Sequence, residues 1–281
     1  MSYKTISDLP DELASKFINP SFITKTKHVY FLSHQGLGDN ITTISAVNFL
    51  LQYYENVYLL CRSHFVENLK LIYINPNVIL MPYIYTPNDS INQCNEILKS
   101  KYQDPDSDVL ASGLYVRYFK NKITNKDFLT YKPNSYNYNS EYAHVRSFYT
   151  DINLDLKIYY EWYHFPSSDI SKQYYETIKQ YKLVFFHTLS SEKKINLSHL
   201  ANNYLSDEYL IICPNENMYD KTHPHYELSQ SYLNLLVPYY YDIIVNSVTV
   251  EVINSVFSCI VYPLRRMNKL KANIINIHGR G

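Results

Sequence analysis

Apolar residues recur along this chain in two rhythms. Short β-prone runs stand at Val29–Leu32, Val57–Cys61 and Val78–Tyr83. Between them the spacing becomes helical, as at Ile41, Ile44, Val47 and Leu51. The pattern predicts strands near His28–Ser33, Val57–Cys61, Val78–Tyr83 and Val109–Ala111. Helices are expected at Asn40–Tyr53, at His64–Tyr73 with Ser63 as cap, and at Asp89–Lys99. Asn75-Pro76-Asn77 is a turn and Asp104–Asp108 a polar loop. Ahead of these, Met1–Thr26 reads as an irregular lead-in with a short helix around Asp11–Phe17. Phe119–Tyr142 is less regular, and its YKPNSYNYNSEY segment is expected to be a surface loop. Glu141–Tyr149 fits a helix.

A second alternating run follows. Asn153–Trp162 carries a β-prone apolar stretch, broken by His164–Ser168. Ser168 is placed to cap a helix reaching Tyr181. Strands are expected at Leu183–Phe186, Tyr209–Cys213, Thr249–Ile253 and Asn273–Ile277. Helices are expected at Tyr226–Leu236, at Tyr239–Ser247 with Pro238 in the first turn, and at Ser255–Tyr262. Strands alternating with helices at this spacing indicate βαβ units and parallel sheets. The expected fold class is therefore α/β, with two Rossmann-like domains facing a cleft. Their expected spans are 1–155 and 156–281. A single large α/β domain also fits the 281 residues.

Composition narrows the function classes. Lys plus Arg and Asp plus Glu both number 26, so formal net charge is zero. No global electrostatic footprint for nucleic acid or an anionic membrane results. The 31 tyrosines are of a kind that an AT-rich genome also produces, so they are not counted as a carbohydrate signal. Met1–Pro20 is polar and has no apolar signal-peptide core. No apolar run has the length to span a bilayer. Cys61, Cys94, Cys213 and Cys259 form no CxxC pair, and reduced thiols in a cytoplasmic setting are expected. Asn40-Ile41-Thr42 fits a glycosylation acceptor but carries no weight without a secretory signal.

Candidate chemistry centres on Gly36-Leu37-Gly38-Asp39-Asn40. It follows a strand and opens a helix, which is where open α/β sheets place ligands. Asp39 can be a helix cap or an active-site carboxylate, and the motif alone supports both. Ile41 occupies the place where a dinucleotide fingerprint needs its third glycine, and no Gly-Lys-Ser/Thr follows for a phosphate loop. His223 and His225 share no helix face and have no matching third ligand. Asp104, Asp106 and Asp108 lack the rest of a calcium loop. No metal is expected.

The GLGD turn resembles the N-terminal signature of GT-B glycosyltransferases similar to the heptosyltransferase family. The resemblance implies that Asp39 is the general base toward an acceptor hydroxyl, with Gly36, Gly38 and Asn40 on the acceptor side. The segment Val250–Cys259 runs strand, Asn-Ser, helix, and is similar to the donor-site motif of fucosyltransferases. It departs from that motif at Asn254 and Val256. The resemblance implies a sugar-nucleotide diphosphate at the helix N-terminus, held by Asn254, Ser255 and Ser258. Free N–H groups and the helix dipole suit a phosphate there. The loop after Leu183–Phe186 adds His187, Lys193 and Lys194, whose charge can offset a diphosphate. Asn215 follows the next strand and can reach a base or ribose.

The expected function is sugar transfer from a nucleotide-diphosphate donor to a hydroxyl of a glycan or other acceptor. Inversion and metal independence come from the resemblance, and the nucleotide sugar is a co-substrate rather than a cofactor. The alternatives are a catalytically inactive GT-B-like binding or scaffold protein, and another α/β nucleotide-binding enzyme.

Overall fold

The computed structural model describes residues 27–33, 36–86, 90–99, 101, 104–112, 143–150, 152, 154–191 and 193–279. The expected Asp11–Phe17 helix and the Phe119–Tyr142 loop lie outside them. The chain divides into two compact units, Met1–His164 and Phe165–Gly281. Each holds a four-stranded, wholly parallel sheet.

In the first unit the strands are β1 (His28–Leu32), β2 (Asn56–Arg62), β3 (Val78–Tyr83) and β4 (Ser107–Ala111). Their order is β3-β2-β1-β4. β1 lies inside the sheet, so Val29, Tyr30, Phe31 and Leu32 are all buried. A strand covered on both faces reads as a continuous apolar run, which is how the sequence shows it.

The helix expected over Asn40–Tyr53 is two helices, α1 (Leu37–Thr42) and α2 (Ile44–Leu50). They part at Thr43. Two buried tyrosines reach the carbonyls around this break. Tyr73 Oη donates to the Asn40 carbonyl at 2.6 Å and Tyr149 Oη to the Thr42 carbonyl at 2.8 Å. Carbonyls at a helix break need such outside donors. Ser63 caps no helix: Ser63–Phe65 is a 3-10 turn, and α3 spans Val66–Ile72. α4 covers Ser90–Lys99 and α5 covers Ala143–Thr150.

Asn153–Trp162 departs most from the sequence reading. It holds no strand. Instead α6 (Lys157–Glu161) forms there and belongs to the first unit. Asp155 Oδ1 accepts the Lys157 N–H at 2.7 Å and starts the turn. Leu154, Ile158 and Trp162 stand four residues apart, a helical spacing hidden within a β-prone composition. Ser45 Oγ on α2 donates to the Tyr159 carbonyl, and Asn48 Nδ2 to that of Trp162.

In the second unit the strands are β5 (Lys182–His187), β6 (Tyr209–Ile212), β7 (Thr249–Ile253) and β8 (Ile274–His278). Their order is β6-β5-β7-β8. α7 (Asp169–Glu176) is capped as expected, with Ser168 Oγ accepting the Ser171 N–H at 3.0 Å. Short α8 (Ser198–Ala201), α9 (Tyr226–Gln230) and α10 (Tyr241–Asn246) follow. Pro238 opens a 3-10 turn, Val237–Tyr240, ahead of α10. Phe185, Tyr240 and Phe257 meet edge to face at 5.2–5.9 Å in the core. The last helix, α11, spans Ser258–Arg266. It begins three residues later than the sequence suggests, because Asn254–Phe257 forms a separate turn.

Candidate functional site

In each sheet the chain reverses its winding at one place. In the first unit β1, β2 and β3 run outward in order, and β4 returns to the other side of β1. In the second, β6 flanks β5 on one side and β7 on the other. Ligands of open parallel sheets bind beyond the carboxyl ends of strands at such switch points. The GLGD turn leaves the carboxyl end of β1. His187 ends β5 and the Asn254–Phe257 turn leaves β7. Both sequence-derived corners thus fall at the switch point of their own sheet.

At the first corner, Asp39 Oδ2 accepts the Gly36 N–H at 2.7 Å. Gly36 has φ −82° and ψ 157°, an extended conformation open to any residue. Its lack of a side chain serves another purpose. A Cβ there would lie 2.7 Å from Asp39 Oδ2, so only glycine leaves this carboxylate in place. Asp39 and Gly38 are half-buried. Asn40 is fully buried and turned inward. Its Nδ2 donates to the Gly36 carbonyl at 2.9 Å, and its Oδ1 accepts from Ser33 Oγ at 3.1 Å. Asn40 therefore pins the turn to the end of β1. Across the switch, the Ser112 N–H donates to the Leu32 carbonyl at 2.9 Å. The buried Ser112 Oγ has no hydrogen-bond partner among the described residues.

At the second corner the structure joins His187 to Ser255, with Nδ1 and Oγ 2.9 Å apart. His187 is buried, and burial pulls its pKa from 6.5 down to about 4, so the imidazole is neutral at ordinary pH. It contributes a hydrogen bond and no charge. Phe257 lies against the ring at 4.6 Å. Ser258 closes the turn. Its Oγ accepts the Ser255 N–H at 3.0 Å and has two acceptors in reach, the Ser255 carbonyl at 2.6 Å and Asn254 Oδ1 at 3.1 Å. The Asn254 N–H donates to the His278 carbonyl at the end of β8.

Lys194 and Asn215 meet in a network around Thr188. Asn215 Nδ2 donates to Thr188 Oγ1 at 2.7 Å, and Asn215 Oδ1 accepts the Thr188 N–H at 3.2 Å. Thr188 Oγ1 donates to Glu216 Oε1, and Lys194 Nζ stands 2.8 Å from Glu216 Oε2. Burial pushes the Glu216 carboxyl up, but hydrogen bonds from Lys194 and Thr188 outweigh it and hold it below its usual range. The same contact raises the Lys194 ammonium. Lys193 is exposed and stands outside this network; its N–H and carbonyl bond Ser190 in a tight loop.

Sequence reasoning selects Asn215 from a loop whose Asn and Glu216 side chains both suit a base or ribose, and passes over Thr188. It also passes over Glu251, which lies in the middle of β7 at 3 % exposure. Asn276 Nδ2 donates to one Glu251 oxygen at 2.8 Å, and His278 Nε2 stands 2.7 Å from the other. The available signal was a single acid inside the apolar run Thr249–Ile253. A buried carboxylate requires partners, and Asn276 and His278 alternate suitably in the last strand.

No family model matches the sequence, and no curated protein matches it. Solved structures do match. One is a glycosyl transferase family 9 protein from Veillonella parvula, with TM-score 0.53 and 12 % identity over 90 % of this chain and 86 % of that one. Another is the ADP-heptose lps heptosyltransferase II of E. coli, with TM-score 0.55 and 8 % identity over 89 % of each chain. At such identities the likeness concerns the fold, which is α/β with two Rossmann-like domains of the GT-B kind.

Proposed function

We propose that the protein is a glycosyltransferase that uses a nucleotide-diphosphate sugar. The observation that carries this reading is the coincidence of each corner with the switch point of its own sheet, in a fold shared with glycosyltransferases. The diphosphate is assigned to the β5–β7 switch point. Ser255 stands there at the turn that opens α11, and Lys193 and Lys194 supply charge. His187 is neutral and serves to hold Ser255. Asn215 holds Thr188 and the loop rather than the ligand directly. Gly36, Gly38 and Asp39 are assigned to the acceptor. In the reaction Asp39 takes the proton of the acceptor hydroxyl as its oxygen bonds the anomeric carbon. The bond from that carbon to the diphosphate oxygen breaks, and the nucleoside diphosphate leaves. One base and one displacement give inversion, and the step as written has no role for a metal.

The cytoplasmic setting rests on the thiols. Cys61, Cys94 and Cys213 are buried and unbridged, and burial pushes each up to about 12. Among the described residues no helix is long and apolar enough to cross a membrane.

A second reading is a GT-B-like binding protein without turnover. The inward use of the donor corner's polar groups favours it: Ser255 is bonded to His187 and Lys194 is paired with Glu216. One experiment separates the two. The purified chain is incubated with UDP-, GDP- and ADP-sugars, and both binding and release of nucleoside diphosphate are followed. Release that Asp39→Asn abolishes supports transfer. Binding without release supports the second reading. Neither binding nor release defeats both.

A further inference from the structure

The first unit holds a cavity of about 620 Å³ that the proposed transfer does not use. It opens where α2 and α3 end and β3 begins, between the Ile72–Pro76 turn and the end of α6. That is the amino end of the sheet, away from the GLGD turn at the carboxyl end of β1. Its volume falls within the ~300–1,000 Å³ range of small-molecule sites. Trp162, the chain's single tryptophan, lies in its wall half-buried. The indole is fixed in advance. Asn48 Nδ2 holds the Trp162 carbonyl at 3.1 Å, and Phe49 meets the ring edge to face at 5.5 Å. A site ordered beforehand loses less entropy on binding.

The lining also carries Gln52, Glu161 and His164, all exposed, and half-buried Asn48. The rest of the lining is chiefly apolar, with Ile74 at the mouth 65 % exposed. Among the described residues no lysine or arginine lines the cavity. That lining offers nothing to offset a phosphate or carboxylate. It offers a flat indole together with an amide, a carboxylate and an imidazole in the same cavity. This combination suits a ligand with an apolar C–H face and a rim of neutral hydroxyls.

We propose that this cavity binds a neutral saccharide unit at a second site, separate from the reacting groups. The indole covers the C–H face of the sugar ring, and Gln52 and Glu161 bond its hydroxyls. The site does not depend on the transfer reading, because it shares no residue with either corner.

The single tryptophan makes the test direct. The full chain is titrated with glucose, galactose, N-acetylglucosamine and their β-linked dimers while indole emission is followed. A saturable change with at least one of these sugars is expected. Gln52→Ala and Glu161→Ala should each weaken it by about tenfold, the loss of one hydrogen bond. Both side chains are exposed, so neither change threatens the fold. Calorimetry on Trp162→Phe should show binding lost. The proposal is overturned if no sugar gives a saturable change, or if binding survives undiminished in all three variants. It is equally overturned if the cavity takes only an apolar dye. Calorimetry with nucleoside diphosphates tests the second unit separately, so failure there does not imitate failure here.

Discussion

The two corners are built from the same parts and end in different chemical states. Each follows a buried parallel strand and opens into a helix. At the first, a half-buried carboxylate accepts the Gly36 N–H, and Gly36 lacks a Cβ so that this oxygen has room. At the second, the side chains mostly serve one another: Ser258 closes the turn, and His187 takes Ser255. The first corner thus presents a carboxyl side chain. The second presents a shaped backbone with its polar side chains already committed. A strand–turn–helix corner can supply either reactivity or shape, and the sequence motif does not say which.

Five changes probe that contrast. The largest effect is expected from Asp39→Asn. Loss of a general base should lower the transfer rate about 10²- to 10⁴-fold. The Asn side chain still accepts the Gly36 N–H, so the thermal midpoint should barely move. Ser255→Ala should instead raise KM for the donor with a smaller change in kcat. If the two variants give the same split, the corners do not divide the work.

The second effect is pH dependence in the second unit. His187 has a folded pKa of about 4, below its ordinary 6.5. The unfolded chain therefore binds the extra proton first. Stability from this group is complete above pH 6.5 and is lost as pH falls toward 4, a change of about 3 kcal/mol. Urea unfolding across that window should show the loss, and His187→Asn should flatten it. An unchanged slope in the variant would assign the dependence to other groups.

Gly36→Ala comes next. The clashing atom is the end of the Asp39 side chain, which can rotate away. Stability should fall by about 1 kcal/mol or less, while activity falls further because the carboxylate is displaced. A large loss of stability with activity retained would contradict this account. Lys194→Ala is the mildest. Its pair with Glu216 is more than half exposed on the lysine side, so stability should shift by less than about 1 kcal/mol. A weaker affinity for nucleoside diphosphate, read by calorimetry, would sharpen the donor assignment.

Most strands were legible as short apolar runs, whether at an edge or inside a sheet: β1, β2, β3, β5, β6, β7 and β8 lie within a residue or so of expectation. Helix limits were less so. The break at Thr43 depends on Tyr73 and Tyr149, which lie far away in sequence. α6 was hidden because tyrosine and isoleucine favour strands, while contacts with Ser45 and Asn48 decide the outcome. In the site, residue types at strand ends were readable, and so was the turn around Asp39. Which of them would bond each other was not. Asn40 faces inward, Lys193 stands apart and Glu216 enters only because Thr188 lies across from it. Such pairings are set by strand register, which periodicity alone does not reveal.

Register is also where the buried carboxylate of β7 has its consequence. The last strand reads Ile274-Ile275-Asn276-Ile277-His278, with isoleucine on both faces. Hydrophobic pattern alone gives it no preferred alignment against β7. A slip of one residue would exchange Asn276 and His278 for Ile275 and Ile277, leaving the buried Glu251 carboxyl without its hydrogen-bond partners among aliphatic groups. Glu251 acts as a proofreading device for the edge of the sheet. It makes the misaligned strand unaffordable and leaves one register in which the chain can come to rest.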